Sequence, residues 1–385
     1  MIPGPVEFTP DVLQAMGSPT TSHVAQIFID AFGEALANLR KVFLAPSGQP
    51  FIVAGSGTLA MDMVAANLIE PNDSVLVVNT GYFSDRFAKI FERYGAHVTH
   101  LHGKSPGDAP TLEEVESALK SVRPAFLSIT HVDTSTGVSV DVKSLAALGR
   151  QYDTFVLVDG VCSLAGEEVR QEEWGIDAVL TASQKAIGVP PGLALAVAGP
   201  RAMQKFKNRA TPVGNFYADW NEWLPIMEAY EARKPSYFGT PAVNLVWALR
   251  VSLQEILGEG MEPRFARHRR LSRAFRAGID ALGLKQVPTR AELTATTLSA
   301  IYYPEGVDAT LLKAIDEEGV LVAGGLHPAI KTKYFRVGHM GSVSASDIMA
   351  TLAAIESGLA RCGYKSEPGI AVAAAQKSLS IEETR

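Results

Sequence analysis

A lysine and an aspartate, each close behind an apolar run, are the residues of this chain best placed to do chemistry. Lys185 ends Ala178-Val-Leu-Thr-Ala-Ser-Gln-Lys185, and a loop dense in Gly and Pro, Ala-Ile-Gly-Val-Pro-Pro-Gly192, follows it. Asp159 ends the run Phe155-Val-Leu-Val-Asp159. An amine behind a buried strand, held by a tight turn, can reach into a pocket and condense with a carbonyl. A carboxylate at a neighbouring strand end can keep a heterocyclic nitrogen protonated. These are the two groups that pyridoxal phosphate chemistry asks of a protein. A third candidate is Gly55-Ser56-Gly57-Thr58, between a short apolar run and a helical one. Free backbone N–H groups and the helix dipole there suit a phosphate, although such a loop is also an ordinary helix cap.

Those residues need elements to position them. The hydrophobic pattern predicts strands over 51–54, 74–78, 97–101, 124–130, 154–159, 177–181 and 193–198. Helices are expected between them over 59–69, 83–94, 112–121 and 142–150. This alternation predicts an α/β fold with a mostly parallel central sheet and helices on both faces. Ligands bind such sheets at the carboxyl ends of the strands, where all the polar groups named above fall. Further helices are expected over 220–232 and 243–256, and a long one over 263–282 whose Arg/His side reads as a solvated face. Strands over 296–303, 319–322 and 334–337 and helices over 309–318 and 346–362 predict a smaller C-terminal α+β domain. The expected organisation is an extended N-terminal arm over 1–20 and a large domain over 21–262. A small domain over 263–365 and a flexible or weakly helical tail over 366–385 follow.

Composition narrows the function. With 385 residues, 47% of them hydrophobic, the chain can bury a full core. A net charge of −6 with dispersed basic residues argues against a nucleic-acid surface. Two cysteines form neither a disulfide framework nor a metal cluster. His97, His100 and His102 lack accompanying carboxylate or thiol ligands, so no metal is expected. No apolar run approaches the ~18 residues of a membrane span. With no signal peptide or peroxisomal tripeptide in view, a cytoplasmic protein is expected, peroxisome and mitochondrion staying open.

Six motifs occur in order: Gly55-Ser-Gly-Thr58, Thr130-His-Val-Asp-Thr-Ser-Thr-Gly137, Leu157-Val-Asp-Gly-Val161, Thr181-Ala-Ser-Gln-Lys-Ala-Ile-Gly188, Tyr237-Phe-Gly-Thr-Pro241 and Phe335-Arg-Val-Gly-His-Met-Gly341. Together they resemble the class V aminotransferases of pyridoxal phosphate fold type I. Within these the chain is similar to the alanine–glyoxylate and serine–pyruvate group, the fungal enzymes above all. The resemblance covers the chain to about residue 360. It implies that Lys185 binds the cofactor covalently and moves the proton between the substrate Cα and the cofactor, and that Asp159 keeps the ring nitrogen protonated. At ~3 Å and an effective dielectric near 20, that contact is worth roughly 5 kcal/mol, about four pKa units.

The same resemblance implies that Thr134 contacts the ring oxygen, that Phe83 stacks on one ring face and that Val161 packs on the other. Ser56, Gly57, Thr58 and Gln184 would hold the phosphate. Tyr237 and Thr240 would reach the cofactor phosphate of a neighbouring subunit, which makes a homodimer part of the active site. Arg336 would clamp the substrate carboxylate, beneath an arm containing Gly4. The implied activity is a ping-pong transfer of the amino group from alanine to glyoxylate, giving pyruvate and glycine. Serine as donor stays open. Cysteine desulfuration is disfavoured, because neither Cys162 nor Cys362 lies on a mobile loop. A nucleotide-binding protein of the doubly wound class lacks its G-x-G-x-x-G. At Ser22-His23, where many members have His-Arg, the chain departs from the family.

Overall fold

The computed structural model of the chain describes residues 1–380. Its strands are β1 (Gln49–Ala54), β2 (Ser74–Asn79), β3 (His97–His102), β4 (Phe126–Thr130), β5 (Val132–Asp133), β6 (Val138–Ser139), β7 (Phe155–Asp159), β8 (Ala178–Ala182), β9 (Leu193–Ala198), β10 (Leu298–Tyr302), β11 (Ala323–Gly324) and β12 (Tyr334–Gly338). The helices of the first half are α1 (Pro10–Met16), α2 (Gln26–Val42), α3 (Gly57–Leu68), α4 (Tyr82–Arg93), α5 (Leu112–Val122) and α6 (Val142–Gln151). Those of the second half are α7 (Pro200–Lys207), α8 (Trp220–Glu231), α9 (Val243–Glu259), α10 (Met261–Ala281), α11 (Thr310–Asp316), α12 (Ala345–Arg361) and α13 (Ile370–Ser380).

Seven strands form the main sheet in the order β1-β9-β8-β7-β4-β2-β3. The five from β8 to β3 run parallel, and only β9 opposes its neighbours. Because β1 and β8 both run against β9, β1 points the same way as β8. The carboxyl ends of β1, β2, β4, β7 and β8 therefore lie along one edge. Every residue of β4, β8 and β9 is buried, as expected of strands covered on both faces. The α/β architecture and the parallel sheet agree with the sequence pattern. The small three-stranded sheet, β10-β12-β11, packs with α10, α11, α12 and α13 around a second core that includes Phe275, Ile301, Phe335 and Ile355.

Two local expectations need correction. The arm is not extended throughout. Thr9 caps α1 by accepting from Val12 N at 3.3 Å, and Pro10 opens the helix. The strand expected over 319–322 lies further on, at Ala323–Gly324. Gly319 at φ +85° turns the chain after α11, and Leu321 is 59% exposed. Of the two readings of the tail, flexible or weakly helical, the helical one holds over α13, which lies packed along α10 with Ala371 and Ala375 buried. Small residues on both sides let the two helices approach. A Cβ on Gly278 of α10 would stand 2.9 Å from the Ala371 carbonyl. The part of that expectation covering 381–385 lies outside the described residues. Among the described residues no helix is long and apolar enough to cross a membrane, and no group of His, Cys, Asp and Glu could hold a metal ion.

Candidate active site

Lys185 is buried behind β8, and its Nζ donates to the carbonyl oxygen of Pro3 in the N-terminal arm. The turn beneath it is closed by Gly188 N donating to Lys185 O at 2.8 Å and by Val189 N donating to Ser183 O at 2.9 Å. Gly188, at φ +73°, takes the left-handed conformation that this turn requires. Burial pushes the lysine pKa down, Cys162 and Asp159 oppose that effect, and Arg336 adds to it. A depressed pKa favours the neutral amine, the form that acts as nucleophile and base.

Asp159, at the end of β7, is buried, and its carboxyl accepts from Val161 N at 2.9 Å. Burial raises its pKa to about 7; the Val161 bond opposes this, and nearby Asp133 adds to it. A carboxyl that costly to ionise is stabilised by a cation placed beside it. Thr134 is buried where the chain leaves β5, and Val161 lines the same region. Gly57 is buried against it. A Cβ there would meet the Val161 side chain at 3.2 Å and Ala182 at 3.3 Å. Ser56 is the N-cap of α3 but makes no side-chain cap bond, so the first N–H groups of α3 are left for an anion. Gln184 presents a buried Oε1 without a partner.

Arg336 extends from β12, with Nε donating to Gly324 O at 2.8 Å and Nη1 to Thr134 O at 3.1 Å. The three-stranded sheet thereby brings a guanidinium to the strand-end edge of the main sheet. Phe83 lies in the first turn of α4, its backbone N held by Asp133 Oδ2 at 3.0 Å. Gly4, at φ +116°, lies so close that a Cβ on it would stand 2.6 Å from Lys185 Nζ. Gly4→Ala is therefore expected to lower kcat/KM about tenfold by displacing either the arm or the lysine. Its melting temperature should stay within about 2 °C of wild type, as steady-state kinetics and thermal unfolding would establish.

Tyr237 and Thr240 are not buried with this group. Both are exposed on the surface, Tyr237 63% so, with its ring on His23 at 5.1 Å. Four residues escaped the sequence reading. Asp133 takes N–H bonds from Phe83, Ser84 and Ser135, fixing the start of α4 against the β5–β6 turn. Its place within the Thr130–Gly137 motif was the available signal. Arg86 spans from Thr58 Oγ1, at 2.9 Å, to the Phe83 ring, 4.9 Å from the centroid. Spacing of one helical turn from Tyr82 and Phe83 was its only trace. Arg264 and His268 of α10, read as part of a solvated face, are buried.

A buried amine, a buried carboxyl, uncapped helix N–H groups and a held guanidinium meet at the carboxyl edge of a parallel sheet. The family model for class V aminotransferases matches residues 10–353, and the chain belongs to that family; it is an aminotransferase, with pyridoxal phosphate as its cofactor. It is 39% identical over 355 residues to alanine–glyoxylate aminotransferase 1 of Saccharomyces cerevisiae, covering 89% of this chain and 91% of that one. It is 33% identical to L-aspartate–glyoxylate aminotransferase of Paracoccus denitrificans, over 98% of this chain and 94% of the other. The crystal structure of ureidoglycine–glyoxylate aminotransferase from Bacillus subtilis superposes with a TM-score of 0.91 at 29% identity, covering 98% of this chain and 97% of that one. The residues present fit the cofactor. Asp159 is a buried carboxyl that a protonated ring nitrogen would stabilise, Gln184 Oε1 lacks a partner, and a Cβ on Gly57 would crowd Val161 and Ala182.

Proposed function

We propose that the chain transfers the amino group of L-alanine to glyoxylate, giving pyruvate and glycine. The observation that carries this reading is the confined space over Lys185, where the Pro3 carbonyl and Gly4 press on the amine. A methyl side chain suits that space. Glyoxylate is the acceptor in the names of all three relatives, while the donors differ. Bound pyridoxal phosphate supplies the carbonyl that takes up the amino group and a ring that accepts electrons.

The chain's residues would do the rest. Asp159 holds the ring nitrogen protonated, and the N–H groups at Gly57 and Thr58, with Gln184, receive the phosphate. Thr134, Phe83 and Val161 frame the ring. Arg336 receives the substrate carboxylate through two parallel hydrogen bonds. Lys185 takes the Cα proton and returns it on the other side of the exchange. Burial of the amine keeps water from competing for that proton. Arg336→Lys is expected to raise KM for alanine on the order of tenfold to a hundredfold with a smaller loss in kcat, because an ammonium cannot grip a carboxylate bidentately. Initial rates over a range of alanine concentrations would show it.

A homodimer is part of the proposal. Phe216 is 74% exposed and Tyr237 63%, an aromatic surface that a second copy would cover. Tyr237 and Thr240 would then complete the neighbouring phosphate site. The donor is decided by half-reaction rates with alanine, serine and aspartate, followed by turnover with glyoxylate against pyruvate. Serine is the other donor small enough for this space. Faster turnover of serine or aspartate than of alanine would overturn the alanine reading.

A further inference from the structure

Helix α10 touches three segments that the site depends on, through two side chains one turn apart. Arg264 is 6% exposed and His268 is fully buried. Arg264 Nη2 donates to Ala186 O at 2.7 Å, one residue beyond Lys185. Its Nε donates to Ala165 O at 2.6 Å, in the turn that follows Asp159. Its Nη1 is held by Glu259 Oε2 at 2.8 Å, and Glu259 is also gripped by Arg267. His268 reaches the third segment. Gly341 N, in the loop after Arg336, donates to His268 Nε2 at 3.1 Å, while His268 Nδ1 lies 2.8 Å from Arg264 O. Since Gly341 N can only donate and Arg264 O can only accept, the imidazole is neutral with its proton on Nδ1.

We infer that Arg264 and His268 are positioning residues for transamination, a clamp that sets Lys185, Asp159 and Arg336 relative to one another. The inference rests on those three being the working groups. Neither clamp residue makes a contact with their functional atoms, so the effect is indirect, through backbone.

Two features of the backbone show why a clamp is needed. Ala165 has φ +63°, a left-handed conformation that a non-glycine residue holds only when its surroundings enforce it. The turn after Lys185 contains no regular secondary structure, so its carbonyls depend on outside donors. Val6 N donates to Gln184 O at 3.1 Å, Gly188 N donates to Lys185 O, and Ser252 Oγ donates to Ile187 O. Arg264 supplies the donor at Ala186 O. A guanidinium serves two carbonyls and a carboxylate at once because its donors are fixed in one plane; an ammonium has no such fork.

The test is Arg264→Lys together with the pair His268→Leu and His268→Gln. The Gln amide can donate to Arg264 O or accept from Gly341 N, and the Leu side chain can do neither. For each variant three quantities are read at least 10 °C below its own melting temperature. The first is the rate at which cofactor-free protein, mixed with pyridoxal phosphate, forms a borohydride-trappable adduct mapped to Lys185 by peptide mass. The others are kcat and KM with alanine and glyoxylate. A clamp predicts slower adduct formation and kcat lowered about tenfold or more in Arg264→Lys and His268→Leu, KM within about threefold, and substantial recovery in His268→Gln. Lower melting temperatures with adduct rate and kcat within twofold of wild type would overturn it and leave a purely structural role. If Arg264→Lys does not fold, the His268 pair decides by the same criteria. An adduct in the wild-type protein that maps to a lysine other than Lys185 would instead refute the site itself.

Discussion

Lys185→Arg should reduce kcat by at least about a thousandfold while leaving the fold intact. The substitution keeps a basic group and most of the reach at the same position. What it removes is the ability to lose a proton near neutral pH, since a guanidinium stays protonated. An amine whose pKa burial has lowered can act as nucleophile and as base; an arginine can do neither. General base catalysis alone is worth roughly a hundredfold to ten-thousandfold, and loss of the covalent attachment adds to it. Steady-state rates, thermal unfolding and borohydride trapping measure the three parts. Retention of a tenth of the wild-type kcat, with a trapped adduct elsewhere, would remove Lys185 from its role.

The strand-end placement of these groups was legible because strands buried on both faces are written as unbroken apolar runs. A charged residue just behind such a run stands out, as Asp159 does after Phe155-Val-Leu-Val and Lys185 after Ala178-Val-Leu. Arg264 and His268 were illegible for the converse reason. They sit on a helix with Arg267, Arg269, Arg270 and Arg273, and helical spacing alone does not say which turn faces a neighbouring loop. Burial of Arg264 depends on carbonyls supplied by residues 165 and 186, far off in the sequence. The Asp133 network has the same character: its partners are backbone N–H groups of α4, which no side-chain pattern announces. The tail was legible only in part. Its alanines read as weak helix without a core, yet Gly278 gives such small side chains a place to pack.

The second large effect belongs to Asp159. Asp159→Asn should lower kcat on the order of a hundredfold or more, because a neutral amide cannot hold a ring nitrogen protonated in a buried site. The same substitution should alter how the cofactor-free protein responds to pH. Burial raises the Asp159 pKa from 3.8 to about 7, so the folded protein binds a proton that the unfolded chain releases between about pH 4 and pH 7. The stabilisation is full below pH 4 and is lost as pH rises towards 7, to a total on the order of 4 kcal/mol. His268 and His339 act oppositely. Burial lowers both, His339 to about 3, so they destabilise the fold as pH falls below the ordinary histidine range. The wild-type curve alone therefore mixes signs, and the difference between wild type and Asp159→Asn isolates the carboxyl. In cofactor-free protein the variant should gain melting temperature relative to wild type as pH rises from 4 to 7, and the gain should level off above 7. The attraction of roughly 5 kcal/mol expected from a ring cation about 3 Å away is of the same size as the cost of ionising Asp159 in place. Cofactor binding should accordingly flatten that difference curve, with the wild-type holoenzyme no longer losing stability towards pH 7. A difference curve that is flat without cofactor would mean that Asp159 is already ionised in the empty site and that no such exchange takes place.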